Sequence, residues 1–194
     1  MKQLLLAPVL FCCSFLVWSH GYVEFPESRA YYCQKGLNIN CGPVQYEPQS
    51  VEGPKGFPQV GPVDGKIASA GIARFSQLDE QSANRWKRSK LEYIQIDFRW
   101  KITAKHKTTK WEYFITKKGW NPNAPLTRSQ FESKPFCKVD QIGPISEQES
   151  HSCHLPVLNY GQQIVLAVWT IADTPNAFYQ VIDLDIHLTP VGLK

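Results

Sequence analysis

The sequence predicts an all-β protein built as an antiparallel β-sandwich, with a long irregular insertion early in the chain. Three observations carry this. Beyond Asp79 several segments alternate apolar and polar residues with a period of two. Turn-forming residues separate them, and no long amphipathic helix stands out. Between Gln34 and Asp79 glycine and proline recur so densely that neither a helical nor a strand period survives.

Taken in order, the chain opens with MKQLLLAPVLFCCSFLVW, one lysine and then an apolar run from Leu4 to Trp18. A membrane-spanning helix needs roughly 20 apolar residues. This run is shorter, lies behind a positive charge, and has Val17 and Ser19 where a signal peptidase prefers small residues. Residues 1–19 are therefore expected to be a signal peptide cut after Ser19, and the mature protein to be secreted. The rival, an uncleaved anchor, lacks stop-transfer charges after the run. Residues 20–194 are then expected to form one domain.

The stretch FPESRAYY reads as the first strand or a loop leading from it. The Gly/Pro-rich segment that follows is too long for an idle connection in a compact domain. It holds Tyr46, Val51, Phe57, Val60 and Ile67, so it is expected to pack, with room for a short helix or turn.

Then come the strands. IDFRWKITA sets Phe98, Trp100, Ile102 and Ala104 against Arg99, Lys101 and Thr103. KWEYFITK sets Trp111, Tyr113 and Ile115 against Glu112, Phe114 and Thr116. QQIVLAVWTIA is a continuous apolar run, suited to a strand buried on both faces. VIDLDIHLTP sets Ile182, Leu184, Ile186 and Leu188 against a polar face of Asp183, Asp185 and His187, expected to be solvated.

The formal net charge of +4 falls to +3 once Lys2 leaves with the leader. A mildly basic chain without Lys/Arg-rich runs is a poor nucleic-acid binder. Of the six cysteines, Cys12 and Cys13 leave as well, and Cys33, Cys41, Cys137 and Cys153 remain. An even number in an exported chain reads as two disulfides. Three pairings are possible, and proximity favours Cys33–Cys41 with Cys137–Cys153. The rival is a zinc site using His151 and His154 beside Cys153, but no C-x-x-C spacing supports it.

Cleavage after Ser19 would give His20 a free α-amino group. That amine and the imidazole Nδ1 can chelate one metal ion, and a second histidine would complete a three-nitrogen site of the kind that suits Cu(II). His106, His151, His154 and His187 are the available partners. His106 is favoured because it lies just past a strand end, in KITAKHKTT, where loops present functional groups. No phosphate-binding loop, dinucleotide fingerprint or nucleophile elbow is present. Glu47, Glu52 and Asp173 are possible acid/base carboxylates, though their spacing carries no specific signal.

The segments HGYVEFPESRAYYC, CGPVQYEPQSVEGPKGFP, WKITAKHKTT, WEYFITKKGW, PLTRSQFESKPFC and VLAVWTIADTPNAFYQVIDL carry more than their physics. Together, and in order, they resemble the bacterial lytic polysaccharide monooxygenases of auxiliary-activity family 10, in particular the small chitin-binding proteins of Gram-negative bacteria. The resemblance implies a fibronectin-III/immunoglobulin-like sandwich with the long loop shaping a flat binding face. It implies one copper ion held by His20, through amine and side chain, and by His106. It also implies oxidative cleavage of β-1,4 bonds in crystalline chitin, expected at C1. An external electron donor and dioxygen or hydrogen peroxide would complete the reaction.

By the same resemblance Ala104 is the small residue near the metal's axial side, Phe178 the aromatic opposite, and Glu52 the acid that reaches towards the bound oxygen species. Tyr46, Glu47, Thr103, Asp173 and Asn176 would form the substrate-facing surface. Both disulfides match the family pattern. Trp86, Trp100, Trp111, Trp120 and Trp169 read mainly as core. The protein is expected to act as a monomer, without nucleic acid or membrane. The rival functions are a non-catalytic chitin-binding or adhesion protein and a cellulose-active monooxygenase.

Overall fold

A computed structural model describes residues 20–143, 145–156 and 159–187. The expected signal peptide and Leu188 lie outside the described residues. Two sheets face each other. The smaller has three antiparallel strands in the order β1 (His20–Phe25), β4 (Gln95–Ala104), β7 (Gln148–His154). The larger runs β2 (Glu52–Pro54), β9 (Asn176–Ile186), β8 (Gly161–Ile171), β5 (Thr108–Ile115), β6 (Cys137–Gly143), and β3 (Ser89–Leu91) pairs with β9 in parallel.

Apolar residues of both inner faces fill the sandwich. Val23, Phe98, Trp100 and Ile102 from the smaller sheet meet Trp111, Tyr113, Trp169, Phe178 and Ile182 from the larger. Trp111 and Trp169 stack at 4.9 Å. Gly21 is needed here, because a Cβ at that position would stand 2.9 Å from Ile102 Cδ1 and 3.0 Å from Trp169. Its absence lets the strand beside His20 settle on the core.

The larger sheet buries its other face too, under the long insertion. Val44, Val51, Phe57, Ile67, Phe75, Leu78 and Trp86 cover Phe114, Leu166, Val168, Tyr179 and Val181. This explains why β8 is buried on both sides, as its composition predicts. It also corrects two readings. Phe114 in β5 and Thr116 just beyond its end, which alternate with the inner face, are themselves buried. In β9 the polar face read as solvated is buried at Asp183, which is 2 % exposed, but half-buried at Asp185 and, just beyond the strand, exposed at His187, as expected there.

The partner of Asp183 comes from a helix the sequence did not disclose. Of its two readings, FPESRAYY is the segment leading from the first strand and not the strand itself. The strand precedes it, and α1 (Arg29–Gln34) follows, capped by Ser28 Oγ accepting from the Tyr31 amide. Arg29 donates from Nε and Nη2 to the two oxygens of Asp183 at 2.8 and 3.0 Å. It also donates to the Leu78 carbonyl and to Gln81 Oε1, and lies over Trp86. A buried guanidinium with this many acceptors is compensated for its lost hydration.

His151 and His154 belong to β7. His151 is buried in the sandwich and its Nδ1 accepts a hydrogen bond of 2.6 Å from Tyr113. Cys153 is bonded to Cys137, and Cys33 to Cys41, which removes the zinc alternative. Of the tryptophans, Trp86, Trp100, Trp111 and Trp169 are core, whereas Trp120 is half-buried and donates to the Gln162 carbonyl.

Candidate metal-binding face

One end of the sandwich collects the candidate residues. His20 opens β1 and lies opposite Ala104, the last residue of β4. His106 follows two residues later, in the short turn to β5. Antiparallel pairing therefore brings both histidines to the same sheet end, although they are far apart in sequence. A register shift follows His20, and Thr103 Oγ1 donates to its carbonyl at 3.3 Å.

The His106 side chain is only 7 % exposed. Its Nδ1 lies 3.1 Å from Asp173 Oδ1, in the loop between β8 and β9. Nδ1–H donation to that carboxylate leaves the lone pair on Nε2. Nε2 is buried and has no hydrogen-bond partner among the described residues. A buried polar nitrogen without a partner is costly unless something else satisfies it. A cation that prefers imidazole nitrogen fits that position, and the fixed tautomer is the one a metal needs. The same hydrogen bond from His106 holds the Asp173 carboxyl below the usual carboxylate range.

The larger sheet's end adds the rest. Glu52 is paired with Phe178 across β2 and β9. Its Oε1 accepts from Asn176 Nδ2 at 2.9 Å, so two predicted site residues fix each other. Phe178 is wholly buried and packs 5.0 Å from Trp169, the ring that closes on Gly21. Tyr46 and Glu47 sit where two short 3-10 turns meet, Gly42–Tyr46 and Pro48–Ser50. The second turn packs against β1 and is tied to β9 through Gln180 donating to the Pro48 carbonyl. Tyr46 is 79 % exposed, which excludes a core role. Thr103 and Asp173 are exposed too, while Glu47, Glu52 and Asn176 are half-buried.

Two contributors escaped the sequence reading. Lys55 Nζ donates to the carbonyls of Thr174 at 2.6 Å and Ile171 at 3.3 Å, and its amide donates to Pro175. It clasps the loop bearing Asp173 to the β2 edge. Arg74 pairs with Glu47. Neither has a local signal, because each partner lies far along the chain. The other histidines are elsewhere: His151 is in the core, and His187 is paired with Asp185 on the far end of β9. Among the described residues no group of three or more His, Cys, Asp or Glu side chains could hold a metal.

Fold and face together define an antiparallel β-sandwich that presents histidine and polar groups on an exposed end instead of in a cleft. The chain belongs to the lytic polysaccharide monooxygenases of auxiliary-activity family 10: residues 20–184 match the family model described as lytic polysaccharide mono-oxygenase, cellulose-degrading. A crystal structure of a member from Photorhabdus luminescens superposes with a TM-score of 0.85 at 53% identity, covering 88% of this chain and 100% of the other. A Bacillus amyloliquefaciens CBM33 protein in complex with Cu(I) after photoreduction is 42% identical with a TM-score of 0.78, covering 86% and 99% of the two chains. GlcNAc-binding protein A of Shewanella oneidensis is 49% identical over 169 residues, 86% of this chain and 35% of that protein. The chain thus spans about a third of the length of such curated relatives. No helix among the described residues is long and apolar enough to cross a membrane.

Proposed function

We propose that the protein is a secreted copper-dependent monooxygenase that binds crystalline chitin and cleaves its β-1,4 bonds oxidatively at C1. The observation that carries this reading is the buried Nε2 of His106, without a hydrogen-bond partner among the described residues, its tautomer set by Asp173, at the sheet end where β1 begins with His20. Removal of residues 1–19 would expose the His20 amine, and that amine, the His20 imidazole and His106 Nε2 would hold the copper. When bound, copper cycles between Cu(II) and Cu(I) and, with an external electron donor and dioxygen or hydrogen peroxide, supplies an oxidant strong enough for a C–H bond.

The chain's own residues have distinct tasks in this scheme. Asp173 orients His106 and keeps its proton on Nδ1. Ala104 leaves room beside His20, its register partner. Phe178 closes the inner side with an apolar ring and keeps water out. Glu52, fixed by Asn176, presents a carboxylate at the edge of the face. Tyr46 offers an exposed ring to a sugar plane, and Glu47, Thr103 and Asp173 offer hydrogen-bonding groups. A crystalline polymer cannot thread into a cleft, so an exposed polar end suits it. The substrate itself would then cover the site and exclude solvent.

The amine is the decisive element of the ligand set. An extra residue left ahead of His20 converts it to an amide and should abolish tight copper binding, as measured by titration calorimetry against the processed protein. Tight copper binding by the extended form would overturn the ligand assignment. A chitin-binding protein without catalysis, or a cellulose-active enzyme, would be revealed by its products and by its preference between the two polymers.

A further inference from the structure

Glu47 is not a solitary carboxylate. Arg74 Nη1 lies 2.9 Å from Glu47 Oε1, and Nη2 donates to Oε2 at 3.0 Å. This is the two-point fork that guanidinium and carboxylate form when their planes align, and it fixes orientation as well as distance. Arg74 comes from a different segment, the 3-10 helix Ala73–Asp79, and its guanidinium rests 4.7 Å over the buried ring of Phe75. The two segments are docked closely, because a Cβ at Gly42 would collide with the Gln77 side chain. The pair adjoins the exposed ring of Tyr46, next to the turn that packs on β1. The pair is only partly exposed and two-pronged, a geometry that holds the carboxylate in place more firmly than a single-contact surface ion pair would.

We propose that Arg74 is a positioning residue of the polysaccharide face. It holds the Glu47 carboxylate in one orientation before substrate arrives, leaving the lone pairs outside the fork to accept N–H or O–H groups of an N-acetylglucosamine polymer. The inference rests on the proposed chitin-directed function. A crystal surface is rigid and cannot adapt to a mobile side chain. Ordering such a side chain during binding costs a factor of roughly two to ten in affinity, and the fork removes that cost beforehand. Lysine would keep the charge of Arg74 but not the two parallel donors.

The test is a binding cycle on β-chitin with the processed, copper-loaded protein, comparing wild type, Arg74→Gln, Arg74→Lys, Glu47→Ala and Arg74→Gln/Glu47→Ala. Both Arg74 variants should raise the dissociation constant roughly two- to tenfold. In the Glu47→Ala background, Arg74→Gln should add nothing. Melting temperatures and the Cu(II) electron paramagnetic resonance spectrum should match wild type. Wild-type affinity in Arg74→Gln, rescue by lysine, losses that add in the double variant, or an altered copper spectrum would each overturn the assignment. If the wild type itself fails to bind β-chitin, the proposed function fails and this inference with it.

Discussion

Acidification should destabilise this protein through His151, by an amount the structure allows to be worked out. The imidazole is buried in the sandwich, 4.9 Å from the ring of Trp111. Tyr113 donates its hydroxyl to Nδ1 at 2.6 Å, and Nε2 has no partner among the described residues. Protonation would place a charge in this apolar site, and burial pushes the imidazole pKa down to about 4, against an opposing pull from Glu149. In the unfolded chain it returns to about 6.5. Above about pH 6.5 neither state is protonated, and His151 contributes no pH dependence. As pH falls below that value the unfolded state takes up the proton first, so stability drops by up to about 1.4 kcal/mol per pH unit until about pH 4. The loss from this one site is about 2 kcal/mol at pH 5 and about 3 kcal/mol at pH 4.

The assay is urea denaturation of wild type and His151→Gln at pH 7.5, 6 and 5. Glutamine does not titrate and can still accept from Tyr113. It will cost a fixed amount at pH 7.5 through imperfect packing, and that deficit should shrink by about 2 kcal/mol at pH 5. Carboxylates held low in the folded state, Glu27 and Asp173 among them, cancel in this difference. A deficit that stays constant from pH 7.5 to 5 would refute the reasoning.

Other outcomes follow from the face itself. Asp173→Ala removes the acceptor of the His106 Nδ1–H bond. Copper affinity should fall about 10- to 100-fold, with little change in melting temperature because Asp173 is exposed; calorimetry and a thermal melt check both. Lys55→Met frees the Thr174 and Ile171 carbonyls. It should cost about 1–3 kcal/mol and raise amide hydrogen exchange locally over residues 172–176; unchanged exchange there would show that Lys55 does not clasp the loop.

The sequence disclosed what local pattern can encode. β4, β5, β8 and β9 were legible because Trp, Phe, Ile and Val recur with strand spacing in them. β7 was not, because QESHSCH buries only His151 and Cys153, and neither looks like core. α1 has six residues, too few for a helical period to emerge. Asp183 and Asp185 wrote an alternation that looks solvated, and the Arg29 that buries Asp183 lies 154 residues away. At the proposed site, His106 was singled out from its place after a strand and His20 from the end of the expected leader. The bond from His106 to Asp173, the Glu52–Asn176 pair and the Arg74 fork span 67, 124 and 27 residues. Such pairings are set by strand order and by the docking of the long loop, which no local window contains.

The central claim is oxidation of chitin at a copper ion held by His20 and His106. The most direct measurement is mass spectrometry of soluble products after correctly processed, copper-loaded protein is incubated with β-chitin and ascorbate, beside His106→Ala and copper-free controls. The account predicts aldonic-acid chito-oligosaccharides from the native protein alone. Tight chitin binding without oxidised products, at confirmed copper occupancy, would contradict it.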